Sequence, residues 1–232
     1  MVENFFNLNK TYLFWLVAVF VFIFGFSTPL GSAAQISTVL IIVGCVLFSK
    51  DILKLDKTLF FLMFFLLYDL FICFLWLTLF STYDYDIVPT KINFILSIFA
   101  TYCLVFCVFR YIEERAFYKF LLIVFGIQLF FICLMLLNSD IANFILDNTK
   151  NQIVAERMQS DYGGARGLGI ADSAAFGFST TIGLFLFFTF YAFSQKYINT
   201  LLFLFLATIG VFAAISAGRV AIFGAAFGAL YL

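Results

Sequence analysis

The chain is 232 residues long, 65% hydrophobic, 22% aromatic and 11% charged, with a mean hydropathy of +1.12, which excludes a soluble globular protein. Thirteen Lys and Arg balance thirteen Asp and Glu, and the cations are scattered without a basic run, so nothing points to a nucleic-acid partner. The absence of histidine removes imidazole acid–base chemistry and most zinc sites from these residues.

What remains is an all-α, polytopic membrane protein, read as one transmembrane helical domain over residues 1–232. Bilayer-spanning helices need about 17 to 25 apolar residues, and the pattern predicts seven complete spans and a truncated eighth. The N-terminal MVENFFNLNK leads into a run that lacks a small-residue cleavage site and reads as a retained signal anchor. The first span covers Thr11 to Thr28 and turns at Pro29 to Ser32. The second covers Ala33 to Phe48 and precedes a basic loop to Lys57. The third, Thr58 to Phe80, carries Asp69 midway, where an ionised carboxylate is expensive. No basic partner stands out in the neighbouring spans. Asp69 therefore reads as a helix-locking residue, with proton or cation coupling as the alternative.

The connection STYDYDIVPTK follows, and its Pro89 disfavours helix just before a new start, so the fourth span is predicted from Ile92 to Phe109. A mixed-charge connector, RYIEERAFYK, precedes the fifth, Phe120 to Leu137, in which Gln128 is expected to supply an interhelical hydrogen bond. The longest polar segment, Asn138 to Asp172, spaces its few apolar residues as one or two short interfacial helices would. The sixth span is Ser173 to Phe193 and the seventh Ile198 to Ile215. An eighth begins after Arg219 and has only 13 residues from Val220 to Leu232, so the chain is expected to be truncated there. The five cysteines all lie in apolar runs and read as packing residues. Gly224 and Gly228 form a GxxxG, read as a packing feature.

Cation counts in alternate connections give orientation. Lys10, Lys50, Lys54, Lys57, Arg110, Arg115, Lys119 and Lys196 make eight on one side, against Lys91, Lys150, Arg157, Arg166 and Arg219 on the other. The N-terminus is thus expected in the cytoplasm and the 138–172 loop outside.

Two stretches depart from the scaffold. ARGLGIADSAAFG, Ala165 to Gly177, sets Arg166, three glycines and Asp172 at the mouth of the sixth span. ISAGRVAIFGAAFG, Ile215 to Gly228, sets Arg219 between small residues and a Gly-spaced segment. A guanidinium retained at a membrane edge beside flexible glycines suits an anionic ligand, the plainer alternative being a snorkelling anchor. Backbone N–H groups and an Arg fork could together take a phosphate, with a carboxylate near enough for proton transfer. For Glu156 and Asp161, in the same loop, a solvated surface is the preferred reading.

In these two stretches, from about Arg157 onward, the chain resembles the O-antigen polymerase and O-antigen ligase superfamily of membrane glycosyltransferases. The matches are an Arg closing an outward loop before a small, polar cluster, and a Ser-x-Gly-Arg turn into a Gly/Ala-rich span. Where family members often carry Pro-Asn, this chain has Asp172-Ser173. The resemblance implies a GT-C-like helical fold in a bacterial inner membrane. It implies an enzyme that polymerises, or ligates, undecaprenyl-diphosphate-linked oligosaccharides into surface polysaccharide such as O-antigen, capsule or exopolysaccharide, at the outer face. Its donor is the lipid-linked sugar itself, so no cofactor, metal or nucleotide sugar is implied. Arg166 and Arg219, with Arg157 as a third, would bind the donor diphosphate, and Asp172 would act catalytically by orienting the acceptor or an arginine. Membrane lipid, and a chain-length regulator or flippase, are the implied partners. The competing function is a transporter or lipid-glycan flippase with Asp69 and Gln128 along its pathway; a structural membrane subunit is the third.

Overall fold

The computed structural model describes residues 10–28, 31–48, 57–79, 87–107, 112–149, 169–171 and 176–230. Among these the regular structure is helical apart from one two-residue antiparallel pair. The elements are α1 (Lys10–Phe24), β1 (Ser27–Thr28), β2 (Gly31–Ser32), α2 (Ala33–Phe48), α3 (Lys57–Leu79), α4 (Ile87–Cys107), α5 (Glu114–Leu137), α6 (Ser139–Thr149), α7 (Phe176–Ser194), α8 (Thr200–Ala217) and α9 (Arg219–Ala229).

Five of these helices are long and apolar enough to cross a membrane: α3 to α5, α7 and α8. Their outward faces are apolar too; on α3, Phe61 and Phe65 are 69% and 65% exposed, a surface that suits hydrocarbon and not water. The chain is a membrane-embedded protein. The first two expected spans form helices of 15 and 16 residues, rising about 22 to 24 Å against a hydrocarbon core of roughly 30 Å. The stop after α1 is Gly25, at φ +57°, whose N–H donates to the Val21 carbonyl at 2.8 Å. A side chain at that left-handed position would be strained, so glycine closes the helix. The chain then enters the β1–β2 hairpin, pairing Ser27 with Ser32 and Thr28 with Gly31.

Two helices start earlier than their apolar runs. α4 begins at Ile87, so Pro89 lies inside its first turn, where a missing N–H costs nothing because the first four N–H groups have no intrahelical acceptor. α5 begins at Glu114 and takes in RAFYK, polar residues that suit a helix end standing outside the hydrocarbon.

The contacts divide the chain into two compact units, one of residues 1–34 and 112–232 and the other of residues 35–111. In the second, α3 packs along α4 and the Lys91 ammonium pairs with the Asp69 carboxylate. Asp69 thus has the basic partner the sequence did not reveal. The expected loop residue Lys91 is helical, because α4 starts one turn before it.

In the first unit α7, α8 and α9 pack tightest, joined by α5 and α1. Lipid exerts no hydrophobic pressure between helices, so close approach and dispersion must hold them. Gly224 of α9 lies against the backbone of Gly183 of α7, and a Cβ added at Gly183 would stand 3.1 Å from the Ala221 Cα. Gly228 faces the Phe190 side chain at a similar spacing, its Cβ 2.8 Å and its ring 2.9 Å from where a Cβ on Gly228 would be. The Gly224–Gly228 pair is therefore the α7–α9 contact. Deeper in, Phe125 and Phe185 stack with centroids 5.1 Å apart and planes 4° from parallel, and Phe24 of α1 stacks on Phe185 at 5.8 Å. Such ring pairs contribute about 0.5 to 1.5 kcal/mol each beyond their area.

Candidate functional site

The start of α7 is where the two arginine-bearing stretches meet. Ser179, on its first turn and 1% exposed, donates its hydroxyl to the Gly218 carbonyl at 3.0 Å and accepts the Ala221 N–H at 2.9 Å. One side chain thereby bridges a carbonyl at the end of α8 and an amide at the start of α9, two groups that also bond each other, the Ala221 N–H donating to the Gly218 carbonyl at 3.1 Å. Gly218 itself, at φ 145° and ψ 164°, serves as the C-cap of α8 and the N-cap of α9. Only glycine takes that conformation without strain. Arg219 is the first residue of α9, and its backbone is thereby fixed one residue from the Ser179 bond.

The other stretch reaches the same end through Gly169 to Ala171. Ala171 is 1% exposed. Gly169, at φ +119°, donates its N–H to the Met135 sulfur at 3.0 Å. A Cβ on Gly169 would stand 3.0 Å from the Phe178 ring, one residue before Ser179, and would collide with the Gln128 amide nitrogen. Described parts of ARGLGIADSAAFG and of ISAGRVAIFGAAFG are therefore joined through the consecutive residues Phe178 and Ser179.

Of the residues expected to act, Arg157, Arg166 and Asp172 lie outside the described residues, as does the Arg219 side chain. Asp172 is adjacent in sequence to buried Ala171, and Arg166 is three residues before Gly169; three residues extend to about 10 Å at most.

Gln128 belongs to this end of the unit and was underrated by the sequence. It is fully buried on α5, and neither its amide nitrogen nor its oxygen has a hydrogen-bond partner among the described residues. The expected interhelical bond is absent for a local reason: Ile132 and Phe178 beside it are apolar, and the Gly169 N–H goes to Met135 instead. An amide left so costs about 1 to 3 kcal/mol. It holds two donors and an acceptor oxygen beside Gly169, capacity that a polar ligand group would use.

The loop's earlier part forms one helix, α6, as its apolar spacing implies. Asn138 starts it, its side-chain oxygen accepting from the N–H of Asp140 at 2.8 Å and of Ile141 at 3.2 Å. Ala142, Ile145 and Leu146 form its buried side, and the helix lies against α5 and β1. Compared with protein-family models, with curated proteins and with solved structures, the chain matches none.

Proposed function

We propose that the chain is a glycosyltransferase of the polysaccharide polymerase or ligase type, acting on undecaprenyl-diphosphate-linked oligosaccharides at the outer face of a bacterial inner membrane. In this reading α1 and α2 count as short spans, so that seven precede α9, and the fold is GT-C-like. The observation that carries the proposal is the Ser179 junction, which anchors the Arg219 turn to α7 beside the docked end of the Arg166–Asp172 loop. Departure of a diphosphate develops negative charge that preorganised guanidinium groups stabilise in a low-dielectric site. Arg166 and Arg219, with Arg157 as a third, are assigned to the donor diphosphate, and Asp172 to orienting the acceptor hydroxyl or an arginine.

Arg166 provides the test. A helix-end anchor tolerates Lys, since an ammonium snorkels as well as a guanidinium. A diphosphate clamp does not, because Lys keeps the charge and loses the planar, bidentate fork. Arg166→Lys should lower turnover of a lipid-linked repeat unit at unchanged membrane abundance. Arg166→Ala should lower it further, by about 2 to 4 kcal/mol of transition-state stabilisation. Full turnover by the Ala variant would remove Arg166 from the site.

A second reading, a transporter or lipid-glycan flippase, draws on the Asp69–Lys91 pair, since intramembrane charges often mark ion pathways.

A further inference from the structure

An open groove of about 870 Å³ between α5 and α8 has its mouth at the end of α7 opposite Ser179, where Lys196 to Asn199 line it. Its α5 wall is a single helical stripe: Lys119, Ile123, Gly126 and Phe130 follow one another at three- and four-residue spacing. Its α8 wall includes Leu202 and Phe205. The apolar part is half-open to the surroundings, Phe130 and Phe205 each being 59% exposed. A Cβ on Gly126 would meet nothing within 4 Å, so the floor of the groove is empty space.

Its mouth is charged, and with one sign. Arg115, Lys119 and Lys196 line it, and among the described residues no carboxylate does. Among the described residues none of the three forms an ion pair. The nearest acid in sequence, Glu114, is taken up by tyrosines: Tyr191 donates to it at 3.3 Å, and burial, then the Glu114 charge and hydrogen bond, hold the Tyr197 hydroxyl above its ordinary range. Both α5 and α8 begin at this end, so their positive termini add to the field.

Lys196 is placed there against local preference. The turn after α7 is a Schellman motif, with the Tyr197 N–H on the Ala192 carbonyl at 2.8 Å and the Lys196 N–H on that of Phe193 at 2.9 Å. The residue at its left-handed position is normally glycine, yet Lys196 occupies it at φ 58°.

We propose that this groove binds an anionic glycerophospholipid, its phosphate among Arg115, Lys119 and Lys196 and an acyl chain along Gly126. The depth fits: the stripe from Lys119 to Phe130 rises about 16 Å, roughly half of the hydrocarbon core and so one leaflet. Basic pockets between transmembrane helices bind anionic head groups by the same combination. By the cation balance this is the cytoplasmic leaflet. The assignment is independent of the proposed transferase function, which rests on the Ser179 junction at the other end of α7.

The test is native mass spectrometry of the full chain released from nanodiscs containing equal phosphatidylglycerol and phosphatidylcholine. Wild type should retain phosphatidylglycerol preferentially. Lys119→Gln and Lys196→Gly should each weaken that retention about fivefold and leave phosphatidylcholine unchanged. Lys196→Gly should nevertheless resist unfolding at least as well as wild type, because glycine suits the turn, so a loss of lipid is not a loss of fold. Gly126→Phe, which fills the groove and leaves every cation, should abolish retention of both lipids. Equal retention of the two lipids by wild type would overturn the proposal, as would undiminished phosphatidylglycerol in the Lys119 and Lys196 variants. Displacement of the lipid by inorganic phosphate would do so as well, reducing the mouth to a phosphate site without a chain.

Discussion

Replacing Gly224 by Ala adds one methyl group, and the structure fixes where it goes: into the backbone of Gly183, whose carbonyl cannot swing aside without breaking α7. The helices must part. Overpacking of a close interface costs about 1 to 3 kcal/mol. Separation also lengthens the two bonds of Ser179 to Gly218 and Ala221, each contributing about 0.5 to 1.5 kcal/mol. The total is roughly 2 to 6 kcal/mol. Gly228→Ala should cost less, because its obstacle, the Phe190 Cβ at 2.8 Å with the ring behind it, stands farther off than the Gly183 backbone does from Gly224, and the ring can tilt. Gly126→Ala meets nothing, and there the exchange should stabilise by about 0.5 to 1 kcal/mol through helix propensity. The assay is reversible unfolding in bicelles by steric trapping, with all three variants on one scale. A Gly224 variant as stable as wild type, or less affected than Gly228→Ala, would refute the backbone-contact reasoning.

Two further outcomes are expected. Cysteine placed at exposed Asn148 of α6, in a background with the five native cysteines replaced, should react with an impermeant thiol reagent in intact spheroplasts; labelling only after lysis would reverse the orientation. Asp69→Asn keeps an acceptor for the Lys91 ammonium but removes its countercharge, and should lower membrane abundance, not turnover per molecule. A double-mutant cycle with Lys91→Gln should give a coupling of about 0.6 to 1.7 kcal/mol, and additive effects would mean that the pair contributes nothing.

Much of the helical order was legible because an apolar run and a membrane helix are nearly the same object. Ala33 to Phe48 is a helix with the boundaries its composition implies. Legibility failed where a helix outran its grease, at the starts of α4 and α5, since backbone hydrogen bonding does not require apolar side chains. That is why Lys91 read as a loop residue and Asp69 as unpartnered. The two arginine-bearing stretches were visible as departures from the scaffold, but their meeting was not. It depends on Ser179, a hydroxyl with no local signature in a serine- and threonine-bearing segment. The groove cations were equally hidden, because Lys119 and Lys196 belong to different connections and only the packing of α5 against α8 makes them neighbours.

The division of the chain also bears on how it is made. Residues 1–34 belong with residues 112–232, and residues 35–111 form their own unit between them. Tyr12 of α1 meets the Phe120 ring of α5 at 5.8 Å, and Phe24 stacks on Phe185 of α7. During synthesis α1 therefore reaches the membrane well before any helix of its own unit. At about 5 to 20 residues per second, the intervening stretch of roughly 77 residues takes on the order of 4 to 15 s. For that interval the interior face of α1, with Trp15, Val19 and Phe24, must be held by lipid or by the insertion machinery. Assembly of the first unit waits for α5.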